Sequence, residues 1–148
     1  MTLTDILDRD LIKIPLESTT KHALLEELVD VLVEKKRLRN RDELLDAVIA
    51  RESLGSTGLG EGIAIPHAKT SAIESVSLVL GITPEPIEFD AQDGKGSQFF
   101  FLVIAPEREA GAYIEVLASI ARATASPTFR RLLGCARSAD EVMRLFLD

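Results

Sequence analysis

The stretch Gly62-Ile63-Ala64-Ile65-Pro66-His67 places a single histidine directly after a proline, at the end of a short apolar run. The alternation of Ile63 and Ile65 predicts a buried strand. Because proline has no backbone N–H to donate to a sheet ladder, we expect the strand to end at Pro66. His67 then leaves the sheet at its rim, where an imidazole that titrates near neutral pH can serve as an acid, a base or a nucleophile.

A glycine-rich segment, residues 55–62, precedes the histidine and carries groups that bind anions. Its glycines permit close backbone approach and expose amide donors. Ser56 and Thr57 add hydroxyl donors, and Arg51, near the end of the preceding helix, adds a planar charged group suited to phosphate oxygens. These groups together with His67 predict a phosphohistidine site, in which the imidazole attacks phosphorus and the donors hold the phosphoryl oxygens.

Each of these residues also has a purely structural interpretation. Considered alone, His67 is explained as readily by a structural role, as a partly buried histidine with hydrogen bonds, as by a catalytic one. Arg51 alone is more often paired with Glu52 or bonded to helix carbonyls, and Ser56 and Thr57 are common turn residues. The glycines do not form a nucleotide motif, because no Gly-Lys-Ser/Thr follows them and the G-x-G-x-x-G spacing is missing. A nucleotide-dependent kinase is therefore poorly supported.

The remaining pattern predicts helices on both sides of a small mixed sheet. Asn40 with Glu43, and Ser138 with Glu141, are typical of side-chain caps at helix starts. Helices are predicted from Thr2, from Thr20 to Lys36, from Asn40 to Leu54, from Tyr113 to Ala123, from Pro127 to Leu133 and from Ser138 to Phe146. Further strands are predicted at Leu11–Leu16, an edge strand because of Pro15, and at Val76–Ile82 and Phe99–Ile104. This pattern favours a three-layer α/β/α sandwich.

Length and composition indicate one domain over residues 1–148, with the 46% hydrophobic and 28% charged residues usual for a soluble globular protein. The net charge of −7 repels a phosphate backbone, which argues against a nucleic-acid partner. Neither a membrane-spanning apolar run nor a secretory signal is evident. The one cysteine, Cys135, fits a reducing compartment and is expected to be a structural thiol. Two histidines and one cysteine without ligand spacing do not indicate a zinc site. We therefore expect a cytoplasmic protein that is not embedded in a membrane.

Three segments resemble the IIA domain of the bacterial phosphoenolpyruvate-dependent phosphotransferase system. They are Arg51-Glu52, Ser56-Thr57-Gly58 and Gly62-Ile63-Ala64-Ile65-Pro66-His67. The similarity is to the fructose/mannitol type, which includes the nitrogen-regulatory IIA proteins. Phe89-Asp90-Ala91-Gln92-Asp93-Gly94 is similar to the F-D-A-x-D-G segment of that family. The resemblance extends from Leu3 to Leu147.

The resemblance implies a fold, a reaction and a set of partners. It implies the α/β/α sandwich, and it makes His67 the acceptor of a phosphoryl group from the phosphohistidine of an HPr-type carrier protein. Arg51 matches the arginine of the family's active site and would steady the phosphoryl charge. Thr57 with Ser56 would orient the imidazole or donate to phosphate. The resemblance implies no metal or organic cofactor.

Two family variants differ in what happens to the phosphoryl group. A transport IIA passes it to the cysteine of a IIB domain, whereas a regulatory IIA binds target proteins according to its phosphorylation state. The segment Leu3-Thr4-Asp5-Ile6-Leu7 and the lack of fused IIB or IIC regions favour the regulatory variant, with a fructose- or mannitol-type sugar IIA as the alternative. A protein- or anion-binding module without transfer is a further alternative. Tyr113 stands where the family often carries a second histidine, and a tyrosine there supplies no positive charge.

Overall fold

The structure, a computed structural model, describes residues 3–147. A six-stranded mixed sheet lies at its centre, in the order β1-β5-β6-β3-β2, and β4 also pairs with β6. The strands are β1 (Ile12–Lys13), β2 (Gly58–Gly60), β3 (Ile63–Ala64), β4 (His67–Lys69), β5 (Ser77–Ile87) and β6 (Ser97–Ala105). Strand β6 is antiparallel to β5 and parallel to both β3 and β4. The predicted mixed sheet is therefore confirmed.

Helices cover both faces of the sheet, as predicted. They are α1 (Leu3–Ile6), α2 (Lys21–Lys36), α3 (Arg41–Glu52), α4 (Ala110–Thr124), α5 (Pro127–Cys135) and α6 (Ala139–Leu147). The side chains of β6 alternate between the two layers. Phe100, Leu102 and Ile104 join the core beneath α2 and α3, and Phe99, Phe101 and Val103 join the core beneath α1, α4, α5 and α6. The two cores make the three-layer α/β/α sandwich.

Strands β3 and β4 are two halves of one interrupted strand. Ile63 pairs with Phe99 and His67 pairs with Val103, with no residue gained or lost between the two pairings. Between the halves, the N–H of Ile65 donates to Thr57 O (3.1 Å) instead of to β6. Pro66 has no N–H, but its carbonyl accepts a hydrogen bond from Val103 N (3.0 Å), and pairing resumes at the next residue. The expectation that His67 leaves the sheet was therefore wrong.

Several other predicted boundaries also differ from the structure. Strand β1 is shorter than expected, because a 3₁₀ turn over Arg9–Leu11 precedes it and the chain bends at Ile14 and Pro15 directly after it. Strand β5 continues through Pro84 and Pro86, because its register against β6 shifts between Ile82 and Ile87 and leaves the prolines outside the regular ladder. Helix α4 begins before Tyr113, at Ala110. The predicted helix start at Thr2 lies outside the described residues.

The predicted helix caps were right in part. Thr20, at which α2 was predicted to begin, lies just before that helix and caps it by accepting a hydrogen bond from Ala23 N (3.3 Å). Asn40 does not cap α3 with its side chain, because its amide nitrogen donates to the carbonyl of Ala72. Ser138 Oγ accepts from Glu141 N (3.2 Å), as a capping box requires, although the Glu141 carboxylate binds the preceding N–H, that of Arg137. The expected structural thiol, Cys135, is exposed. Within residues 3–147, no helix combines the length and the apolar character needed to cross a bilayer.

Candidate active site around His67

His67 is half-buried at the start of β4, and its ring is held in one orientation. Its Nδ1 atom lies 2.7 Å from the carbonyl oxygen of Ile65. A carbonyl oxygen only accepts hydrogen bonds, so in the neutral ring Nδ1 carries the hydrogen and Nε2 keeps its lone pair. The ring of Tyr113, from α4, lies beside the imidazole at 5.7 Å between centroids. The ring therefore presents Nε2 with a free lone pair.

The surroundings of His67 keep its imidazole neutral. Burial lowers the pKa of His67 below its ordinary value of 6.5, and the positive charge of Arg51 lowers it further. The hydrogen bond to Ile65 and the charge of Glu52 oppose this shift without cancelling it. Burial also raises the pKa of Tyr113 to about 12, so that its phenol stays protonated at physiological pH. A neutral imidazole is the form that can attack phosphorus.

Arg51 lies in the last turn of α3, the helix that packs against β4. Its Nη1 atom donates to the carbonyl oxygen of Gly55 (3.1 Å), which holds the side chain over the start of the glycine-rich segment. The guanidinium charge acts on both His67 and Tyr113. The structure therefore brings Arg51 and His67 into one site.

Thr57 is linked to His67 through the backbone. The buried Thr57 donates its N–H (2.9 Å) and its hydroxyl (2.9 Å) to the carboxylate of Glu52, whose side chain is also buried. The carbonyl of Thr57 accepts the N–H of Ile65, and the carbonyl of Ile65 holds His67 Nδ1. Thr57 thus helps to fix the imidazole, while its hydroxyl is already bound to Glu52.

Ser56 has a similar supporting position in the loop. Its hydroxyl donates to the carbonyl of Phe89 (2.7 Å) and accepts the N–H of Gly58 (3.0 Å). Sequence reasoning treated Glu52 only as a partner for Arg51 and so missed its role in holding Thr57. A signal was available, because an acidic residue at a helix end followed by a short loop and a threonine can satisfy the loop amides.

The glycine-rich segment forms a hairpin rather than the open cradle of amides that was expected. Strand β2 pairs antiparallel with β3, and Gly60 and Gly62 have the positive φ angles of 106° and 80° that a side chain rarely adopts. The N–H groups of Thr57, Gly58 and Glu61 are bound to Glu52, Ser56 and Asp93. Those three amides are therefore committed within the fold.

The segment Phe89–Gly94 holds this hairpin in place. The N–H of Gln92 donates to the carbonyl of Gly58 (3.2 Å), and Asp93 accepts the N–H of Glu61 (3.0 Å). Hydrogen bonds from the N–H groups of Glu61 and Lys95 lower the pKa of Asp93, so the acceptor stays ionised. These contacts join the Phe89–Gly94 segment to the hairpin that precedes His67. Among residues 3–147, no three His, Cys, Asp or Glu side chains cluster as a metal site would require.

The sequence matches a family model over residues 5–148, almost the whole chain. The model is described as "Phosphoenolpyruvate-dependent sugar phosphotransferase system, EIIA 2". The chain belongs to this family. The predicted resemblance to the phosphotransferase-system IIA family is therefore confirmed.

Relatives of this IIA domain carry both sugar-specific and nitrogen-regulatory names. The chain is 33% identical to the fructose-specific EIIA component of Haloferax volcanii over 151 residues, which cover 100% of the chain and 98% of the relative. It is 32% identical to the fructose-specific EIIABC component of Bacillus subtilis, but it spans only 22% of that protein's length. The crystal structure of nitrogen regulatory protein IIA-Ntr from Neisseria meningitidis superposes with a TM-score of 0.89 at 33% identity, over 96% of this chain and 97% of that one.

The fold is also that of enzyme IIAMTL from Escherichia coli, solved in complex with phosphorylated enzyme IIBMTL. The TM-score is 0.80 at 23% identity, over 95% of this chain and 96% of that one. In that complex a IIA domain binds a IIB domain.

Proposed function

We propose that this IIA domain is a phosphohistidine carrier in which His67 accepts a phosphoryl group from an HPr-type carrier protein. The observation that carries the proposal is the hydrogen bond from His67 Nδ1 to Ile65 O, which leaves Nε2 free to attack. The lone pair of Nε2 forms a bond to phosphorus while the P–N bond of the donor phosphohistidine breaks. The donor imidazole leaves with that electron pair, and each ring keeps its own N–H hydrogen throughout.

Arg51, Thr57 and Ser56 support this reaction in different ways. The guanidinium of Arg51 steadies the charge on the phosphoryl oxygens as they move between the two rings. Thr57 holds the Ile65 backbone that orients His67, and Ser56 keeps the neighbouring loop closed. No organic cofactor or metal takes part in the proposed transfer, because the phosphoryl group passes between two imidazoles.

We assign the protein to the nitrogen-regulatory branch, in which the phosphorylation state of His67 controls binding to target proteins. The high structural similarity to the IIA-Ntr protein of Neisseria meningitidis supports this assignment. The second candidate is a sugar-specific IIA that passes the phosphoryl group to a IIB cysteine, and its support is the full-length similarity to the fructose-specific component of Haloferax volcanii.

Reconstitution of the relay tests the proposal. The protein is mixed with enzyme I, an HPr-type carrier and phosphoenolpyruvate, and acid-labile phosphate is mapped by mass spectrometry. We expect phosphate on His67, none in His67→Ala, and full labelling in the matched control His22→Ala, since His22 is exposed and paired with Glu26. Label elsewhere, or no label while the same relay phosphorylates a known IIA, would contradict the proposal and favour a binding module without transfer.

A second measurement separates the two branches. The phosphorylated protein is incubated with a fructose- or mannitol-type IIB domain, and phosphocysteine is detected by mass spectrometry. The regulatory assignment predicts no rapid transfer to the IIB thiol. Rapid transfer would make the protein a sugar-specific IIA.

A further inference from the structure

Lys69 shares one aromatic neighbour with His67. The two residues are separated by one position in β4, so their side chains lie on the same face of the sheet. The Nζ atom of Lys69 lies 5.9 Å from the centre of the Tyr113 ring, and the imidazole of His67 lies 5.7 Å from the same centre. The ammonium of Lys69 and the imidazole of His67 therefore lie near the same buried phenol ring.

The ammonium of Lys69 is available for a new anion. Within the described part of the chain, Lys69 makes no salt bridge, whereas Lys13 and Lys21 are paired with carboxylates. Its side chain is exposed, and its contact with the face of Tyr113 is a weak attraction between a cation and a ring quadrupole. A dianionic phosphoryl group next to the ring would attract the ammonium more strongly than the ring does.

A phosphoryl group on His67 would be stabilised by positive charge beside the Tyr113 ring. The phosphoryl group brings close to two negative charges to a half-buried ring. Arg51 is one cation of the site, and its Nη1 atom is already bonded to Gly55. The Tyr113 phenol, with a pKa of about 12, carries no positive charge in either protonation state. A second cation beside Tyr113 would balance the remaining charge.

We propose that Lys69 is a second catalytic cation of this site, whose ammonium leaves the Tyr113 face and binds the phosphoryl oxygens on His67. This inference rests on the proposed function for its role in the relay. The chemistry is separable, however, because a small donor can phosphorylate His67 without a carrier protein. With phosphoramidate as that donor, whose nitrogen is already protonated (⁺H₃N–PO₃²⁻), Nε2 bonds to phosphorus, the P–N bond of the reagent breaks, and neutral ammonia leaves with the electron pair of that bond.

The test compares Lys69→Gln with Lys69→Arg and with Lys35→Gln, a control at an exposed position of α2. Labelling of His67 by phosphoramidate is followed by mass spectrometry. We expect Lys69→Gln to slow labelling about tenfold, less than the 10²–10³-fold typical of a preorganised donor, because Lys69 is exposed. Lys69→Arg should restore most of the rate, and Lys35→Gln should leave it unchanged.

A second readout reports the charge contact directly. The pKa of the phosphoryl group on His67, followed by ³¹P NMR against pH, should rise in Lys69→Gln, because removal of a cation disfavours the dianion. An unchanged phosphoramidate rate and an unchanged phosphoryl pKa would overturn the proposal. Slowing that occurs only with the carrier protein would place Lys69 in docking and would also overturn it. Failure of the relay alone, with phosphoramidate labelling intact, would count against the proposed function and not against Lys69.

Discussion

The Nδ1 atom of His67 donates to the carbonyl oxygen of Ile65, a residue that lies between the two halves of an interrupted strand. This contact sets the tautomer of the ring, and we therefore expect the phosphoryl group on Nε2. In the unphosphorylated protein, two-bond ¹H–¹⁵N NMR spectra should show the Nδ1–H tautomer. After phosphorylation, a ³¹P–¹⁵N coupling should involve Nε2. A coupling to Nδ1 would show that the Ile65 contact is broken during the reaction.

Arg51→Gln should affect both the rate of transfer and the titration of His67. We expect phosphotransfer to slow by about 10²–10³-fold, because a fixed positive charge on the phosphoryl oxygens is lost. Loss of the same charge should raise the pKa of His67 toward its ordinary value, since Arg51 opposes protonation of the ring. The reactive neutral form would then be lost at a higher pH as the solution is acidified.

NMR titration of the His67 ring and the pH profile of the transfer rate check this expectation together. Arg39→Gln is the matched control, because Arg39 is exposed between α2 and α3. A lower pKa of His67 in Arg51→Gln, or an unchanged transfer rate, would show that Arg51 only caps the loop carbonyl of Gly55.

Glu52→Ala should destabilise the fold and also disturb the site. The substitution leaves the N–H and the hydroxyl of Thr57 buried without their acceptor, at a cost of about 1–3 kcal/mol in the free energy of unfolding. Because the Thr57 carbonyl positions Ile65, the rate of His67 phosphorylation should fall as well. Urea denaturation measures the first effect. Asp46→Ala, at an exposed position of the same helix, should change the free energy by less than about 0.5 kcal/mol.

The parts of the fold that could be predicted from sequence are those set by local periodicity. The apolar runs in β5 and β6 and the helical spacing of apolar residues in α2 predict which side chains are buried. These elements form because their apolar side chains are buried in the two cores. The sequence also singles out His67, since a histidine that follows a glycine-rich segment with Arg51, Ser56 and Thr57 nearby combines the groups that a phosphoryl site needs.

The remaining details depend on partners that are distant in sequence. His67 returns to the sheet because it pairs with Val103 of β6, which is far away in the sequence. The amide of Asn40 is taken by the carbonyl of Ala72, and the hydroxyl of Ser56 by the carbonyl of Phe89. Such contacts leave no periodic signal in the sequence. The sequence therefore predicted that Asn40 would cap the nearest helix and that Ser56 would donate to a bound anion.

Gly58 provides a test of how closely the hairpin and the Phe89–Gly94 segment must pack. A Cβ atom at Gly58 would lie 2.9 Å from the Cα of Ala91, which is backbone and cannot move without displacing the segment that holds the hairpin. We expect Gly58→Ala to lower the free energy of unfolding by about 1–3 kcal/mol and to slow transfer. Gly111→Ala is the control, because a Cβ there meets nothing within 4 Å among the described residues, and it should stabilise α4 by about 0.4–1 kcal/mol. If Gly58→Ala were as stable as the native protein and transferred the phosphoryl group at the same rate, the close approach of these two segments would not be a constraint on the site.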